Sequence, residues 1–124
     1  MTIKYDGTLN CAISVSDMDR AVAWYQEMLG FELSYRRDDI GWSELTTPTK
    51  GVTIGLSQVE TVPQGGGATL VFGVEDTDAA RTKLEQKDVR FDGETQTIPD
   101  MVKLATFFDP DGNSFMLAQN LAPQ

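Results

Sequence analysis

Trp42 and Glu44 stand two residues apart in the stretch Trp42-Ser43-Glu44-Leu45. In a strand they share one face, and Ser43 and Leu45 take the other. With Leu45 turned to the interior, an indole and a carboxylate lie side by side on the opposite face. Such a pair offers stacking, cation–π attraction and an ion pair to a flat or positively charged molecule. Glu44 is also the chain's weak candidate for a catalytic acid or base. The plainer alternative is a Trp packed at a rim beside a solvated or dimer-contact Glu. Other chemistry is sparse. Histidine is absent, so a Ser-His-Asp triad and a Cys-His pair are both excluded, and the commonest transition-metal ligand is missing. The single cysteine, Cys11, rules out an intrachain disulfide. It alternates with Ile13 and Val15 and has no neighbouring cation to activate it, so a buried structural thiol is expected. Arg36-Arg37-Asp38-Asp39 reads as a solvated strand end, with contact to an acidic ligand group as the alternative. Asp76, Asp78, Asp109 and Asp111 are cap and turn residues by position and match no complete EF-hand loop.

The elements that carry these residues are repeated. Val15-Ser16-Asp17-Met18-Asp19-Arg20-Ala21 is echoed by Val74-Glu75-Asp76-Thr77-Asp78-Ala79-Ala80, and Gly51–Gln58 by Gly112–Gln119, in the same order and at nearly the same offset. Pro63-Gln64-Gly65-Gly66-Gly67 reads as the linker between the copies. In the first copy residues 8–15 form a strand, and Ser16 or Asp17 caps a helix. Met18, Ala21, Val22, Tyr25, Met28 and Leu29 make that helix's apolar face, and Gly30 stops it. Residues 31–36, 41–46 and 52–58 follow as strands. The second copy predicts a strand over 68–74, a helix from Asp76 or Thr77 to about Gln86, and strands near 89–96, 102–108 and 113–119. The turn Asp109-Pro110-Asp111-Gly112-Asn113 joins the last two. Alternation puts Asn10, Ala12 and Ser14 on one face of the first strand, and Thr69, Val71 and Gly73 on the corresponding face of its repeat. Leu104, Thr106 and Phe108 give the second copy an apolar wall matching Trp42 and Glu44.

The chain has 124 residues, 40% of them hydrophobic, ten basic and nineteen acidic, with a net charge of −9. This suits one small domain, with module one at about 1–62 and module two at about 66–124. The negative charge disfavours nucleic acid and anionic membranes as partners and favours cationic ligands. No apolar run reaches the length of a membrane span, and the opening residues lack a signal-peptide layout, so a cytoplasmic location is expected.

Ser-Asp-Met-Asp-Arg-Ala-Val-Ala-Trp-Tyr-Gln-Glu-Met-Leu-Gly-Phe, from Ser16 to Phe31, resembles the opening of the vicinal oxygen chelate superfamily, which includes glyoxalases, bleomycin-resistance proteins and dioxygenases. Val74–Ala80 resembles the start of that family's second module, and Phe107–Gln119 its closing hairpin. The resemblance implies an α+β fold: two βαβββ modules forming cupped half-barrel sheets around a cavity, often completed in a homodimer. It also implies where a metal would be held. The four corresponding positions are Asn10, Gly55, Thr69 and Met116. This set carries no charge and offers an amide, a hydroxyl, a thioether and one position with no side chain. Hard divalent cations want several oxygen or nitrogen donors, some of them anionic, so no metal and no cofactor are expected.

The favoured reading is a metal-independent protein that binds a small aromatic or cationic molecule, of the drug-sequestering, bleomycin-resistance-like type. Its expected ligand-binding residues are Asn10, Trp42, Glu44, Gly55, Thr69, Leu104, Thr106, Phe108 and Met116. The alternatives are a metal-independent enzyme using Glu44 as acid or base, a metal-dependent glyoxalase-type lyase or dioxygenase, and an interaction module without a ligand.

Overall fold

A computed structural model of the chain describes residues 4, 6–64 and 69–122. Residues 65–67 of the expected linker, and residue 68 at the expected start of the fifth strand, lie outside the described residues. The chain forms two compact units, Met1–Pro63 and Gln64–Gln124, each a βαβββ module, and the fold class is α+β.

In the first unit the elements run β1 (Leu9–Val15), α1 (Met18–Leu29), β2 (Glu32–Arg37), β3 (Trp42–Thr46) and β4 (Val52–Gln58). A short 3-10 turn, Asp38–Ile40, joins β2 to β3. The sheet order is β1-β4-β3-β2, with β1 parallel to β4 and the other pairs antiparallel. Helix α1 begins where the Asp17 carboxylate accepts from the Arg20 amide, and ends at Gly30 in the left-handed region at φ 72°. Its residues Met18, Ala21, Val22 and Tyr25 are buried, as are Val15, Leu45, Ile54 and Leu56 of the strands, and α1 lies against β4 and β2. Each such buried aliphatic side chain contributes about 1.5–3 kcal/mol relative to exposure.

The second unit repeats the plan with β5 (Leu70–Gly73), α2 (Thr77–Gln86), β6 (Gln96–Ile98), β7 (Val102–Phe108) and β8 (Ser114–Asn120), in the order β5-β8-β7-β6. Asp76 caps α2 through the Ala79 amide. Leu84, Ala105, Phe107, Phe115 and Leu117 form the core, and Phe107 and Phe115 stack with ring centroids 5.6 Å apart.

One device recurs in both units and gives a role to Gln58, at the end of β4, and Gln119, near the end of β8. The side-chain carbonyl of Gln58 accepts from the Met18 amide at 2.8 Å, and that of Gln119 from the Thr77 amide at 2.9 Å. Each amide belongs to the first residue of its helix, where a backbone N–H has no intrahelical partner. The last strand of each module thus fastens the N-terminus of that module's helix.

Two expectations need correction. The strand expected near 89–96 is confined to Gln96–Ile98. Before it, Phe91 makes an isolated bridge to Phe107, and Gly93 at φ 67° turns the chain out of the extended region. Arg81 of α2 holds that turn by donating to the Gly93 carbonyl at 2.7 Å and the Thr95 hydroxyl at 3.1 Å. Cys11 is partly exposed rather than buried. It lies towards the start of β1, where neighbouring Leu9 is still exposed, and burial becomes complete only at Val15.

Candidate functional site

The open face of the first sheet is organised around a missing side chain. Gly55 on β4 pairs with Ala12 of β1 on one side and Glu44 of β3 on the other. A Cβ on Gly55 would run into the six-membered ring of Trp42, and it would lie 3.1 Å from Asn10 Oδ1. The indole therefore occupies the space above Gly55, and only glycine leaves room for it.

Asn10 stands on β1 with β4 between it and β3. Its Nδ2 donates to Glu44 Oε1 and to Thr53 Oγ1, both at 2.8 Å. Trp42 and Glu44 are half-buried, whereas Ser43 and Leu45 between and beyond them are fully buried. Strand alternation thus puts Trp42 and Glu44 on the face away from α1. Asn10, Trp42, Glu44 and Gly55 come together on one surface of one sheet.

Sequence reasoning missed two residues of this surface. Thr53 follows from parity with Gly55. Tyr35 does not, because β2 is irregular. Leu33 pairs with Leu45, but Tyr35 pairs with Glu44, so Ser34 is an extra residue in a β-bulge. Beyond the bulge the faces exchange. Tyr35 and Arg37 stand opposite Glu44 and Trp42, and Arg36 stands opposite Ser43. Arg36 accordingly reaches Asp19 of α1 at 2.8 Å and Asp38 at 2.6 Å. Arg37 is held by both oxygens of Asp39, at 2.9 and 2.7 Å. That hydrogen bonding raises the arginine's pKa; desolvation opposes the shift and Tyr35 adds to it.

In the second unit Thr69, Leu104, Thr106, Phe108 and Met116 likewise share the face away from the helix. Met116 lies between Val71 of β5 and Thr106 of β7, Leu104 opposes Ala118, and Phe108 opposes Ser114. The hydroxyls of Thr69 and Ser114 are 3.0 Å apart, which is the counterpart of the Asn10–Thr53 bond in the first unit. Arg90 lies over the Phe108 ring with Cζ 4.4 Å from its centroid. This surface is largely apolar where that of the first unit is polar.

The four positions that the family resemblance points to do not fit a metal ion. The amide nitrogen of Asn10 is engaged by Glu44 and Thr53, Gly55 supplies no donor, Thr69 is paired with Ser114, and Met116 brings a thioether. The set is neutral, while hard cations require anionic oxygen donors. Among the described residues, no group of three or more His, Cys, Asp or Glu is placed to hold a metal ion. In the same residues no helix is long and apolar enough to cross a membrane.

A search of curated proteins finds no match. Solved structures resemble the chain over nearly its full length. A member of the glyoxalase/bleomycin resistance protein/dioxygenase superfamily from Sphaerobacter thermophilus has 26% identity and a TM-score of 0.78, covering 95% of this chain and 98% of its own. TnmS3, an antibiotic binding protein from a Streptomyces species, has 28% identity and a TM-score of 0.76, covering 97% and 98%. The fosfomycin resistance protein FosX from Listeria monocytogenes, solved with Mn(II) and sulfate, shares the fold at 16% identity and a TM-score of 0.77, covering 94% and 92%. The sequence profile of the Glyoxalase/Bleomycin resistance protein/Dioxygenase superfamily matches residues 8–117, and this chain belongs to that superfamily.

Proposed function

We propose that the protein binds a small aromatic or cationic molecule without a metal ion, in the manner of a drug-sequestering protein. The observation that carries this reading is the Trp42 indole seated on Gly55 beside the Asn10–Glu44 hydrogen bond. A ring held in place by its neighbours loses little entropy when a ligand stacks on it. The adjacent carboxylate gives the platform a preference for positive charge. The antibiotic-binding TnmS3, similar along the whole chain, is consistent with such a role. On this reading Asn10, Trp42 and Glu44 supply the polar and aromatic contacts on the first unit's sheet, with Gly55 leaving room for the indole. On the second unit's own sheet Leu104, Phe108 and Met116 offer apolar contacts, and Thr69 and Thr106 offer hydroxyls.

The test is a thermal-shift screen of aromatic and cationic compounds, since a ligand that binds only the folded chain raises its Tm. Trp42→Ala should weaken an aromatic hit by about 1–3 kcal/mol. Hits whose affinity is indifferent to Trp42 and Glu44 would overturn the reading. Near-equimolar metal after chelator-free purification, lost on replacing Asn10 or Thr69, would overturn its metal independence.

A second reading, a metal-independent enzyme, is favoured by the geometry at Glu44. The Asn10 amide orients the half-buried carboxylate by bonding one of its oxygens, as a catalytic acid or base requires. Loss of turnover without loss of binding in Glu44→Gln would select it.

The reading also includes a homodimer. Leu9, Ile40, Ile98 and Met101 are exposed at 45–64%, and β2 and β6 are sheet edges, both features that favour association. Sedimentation showing only monomer at micromolar concentration would remove the dimer from the proposal.

A further inference from the structure

Tyr35 reaches the open face of the first sheet only because β2 carries one extra residue. Without the bulge at Ser34 it would follow Leu33 to the side of α1. With it, the phenol stands across from Glu44 and is 50% exposed. Cross-strand partners of this kind hold their Cβ atoms about 4.5–5.5 Å apart. Trp42 lies on the same face of β3, on the same strand as Glu44. Glu44 is therefore flanked by an aromatic residue along its own strand and another across from it.

The charge of Glu44 is not matched within the described residues. Its carboxylate accepts from the neutral Asn10 amide, and none of the ion pairs formed there includes it. The two arginines on neighbouring β2 are already engaged, Arg36 with Asp19 and Asp38 and Arg37 with Asp39. A half-buried carboxylate without a cation, set between electron-rich rings, is complementary to a positive group too weakly hydrated to prefer water. A compact metal ion would find one carboxylate here and no further anionic donor; an organic ammonium finds both charge and ring faces. The net charge of −9 adds a field that draws cations to the protein.

We propose that Tyr35, carried onto the open face by the bulge at Ser34, completes with Trp42 and Glu44 a subsite for an organic ammonium group, quaternary or protonated amine. Tyr35 is then a specificity residue that favours such cations over neutral molecules of the same shape. The proposal rests on the reading of Trp42 and Glu44 as ligand-binding residues.

The experiment uses the full chain and two soluble probes of matched shape, choline and its neutral isostere 3,3-dimethylbutan-1-ol, titrated by NMR. Wild type should bind choline several-fold more tightly. Tyr35→Ala should weaken choline about two- to fivefold, the range of an exposed cation–π contact, and leave the neutral isostere unchanged. Tyr35→Phe should keep the preference, and Glu44→Gln should abolish it. Equal binding of the two probes by wild type overturns the proposal, as does unchanged choline affinity in Tyr35→Ala. If Trp42→Ala weakens both probes while Tyr35→Ala alters neither, the site stands and the ammonium subsite falls. If none of Tyr35→Ala, Trp42→Ala and Glu44→Gln alters binding, the reading of the site fails as well.

Discussion

The side-chain amide of Asn10 donates to the carboxylate of Glu44 at 2.8 Å across a strand whose Gly55 has no side chain to stand between them. The bond links β1 to β3 over β4 and orients the carboxylate beside the indole. Asn10→Ala should cost little stability, about 1 kcal/mol or less, because the amide is exposed and water replaces its bonds. It should nevertheless weaken a cationic ligand by releasing Glu44. Denaturant titration and ligand titration on the same variant separate the two effects; a large stability loss with unchanged binding would contradict this account.

Gly55→Ala tests the seat of Trp42. The new methyl and the indole cannot share the space above β4, so the ring must move. A destabilisation of about 1–3 kcal/mol is expected from overpacking, with a shift in tryptophan emission. The other tryptophan, Trp24, packs edge-on against Tyr25 on α1, so Trp24→Phe in the same background isolates the Trp42 signal. An unchanged spectrum would place the indole elsewhere.

Ser43 is fully buried, and its hydroxyl has no hydrogen-bond partner among the described residues. Burying an unpaired hydroxyl is unfavourable, so Ser43→Ala should be neutral or stabilising by about 1 kcal/mol. A marked fall in Tm would reveal a partner for Oγ.

Gln58→Ala and Gln119→Ala each remove the bond that fastens the N-terminus of a helix. Each should cost about 0.5–1.5 kcal/mol. Asp17→Ala and Asp76→Ala, which remove the caps, should cost about 0.5–2 kcal/mol. Gln58→Glu and Gln119→Glu, which retain an acceptor beside the positive end of the helix dipole, should recover most of the loss in urea titrations.

Acid sensitivity should include a contribution from Asp39. Hydrogen bonds from Arg37 hold its pKa below the ordinary carboxylate range. A depressed carboxylate pKa stabilises the fold above the unfolded-state value, and that stability is lost as pH falls through the lower folded-state value. Asp39→Asn should therefore flatten the stability profile below about pH 4, slightly, because the pair is exposed. At the alkaline end Lys103, whose pKa is raised chiefly by its hydrogen bond to Asp78, should lose its contribution as pH rises through the folded-state value. An identical acid limb in wild type and Asp39→Asn would refute the first claim.

Local chemistry determined much of this protein in advance. Alternation along Trp42-Ser43-Glu44-Leu45 was enough to set the indole and carboxylate opposite a buried Leu45, because β3 is regular and a period of two leaves one choice once the inner face is known. The helix starts were legible in Asp17 and Asp76, whose carboxylates can reach free amides only a few residues away. Repetition of these signals, with Gln58 and Gln119 at matching places, revealed the two modules. Tertiary structure decided what depends on pairing. The bulge at Ser34 has no local signature, since Leu33-Ser34-Tyr35 reads as ordinary alternation, and only the register against β3 turns Tyr35 to the side of Glu44. The shortening of β6 to Gln96–Ile98 likewise follows from Arg81 reaching across to Gly93 and Thr95. The Asn10–Glu44 bond needs β4 between its partners and a glycine at position 55. Such relationships join residues distant in sequence, and periodicity, which reports only which face a side chain takes along its own element, carries no information about them.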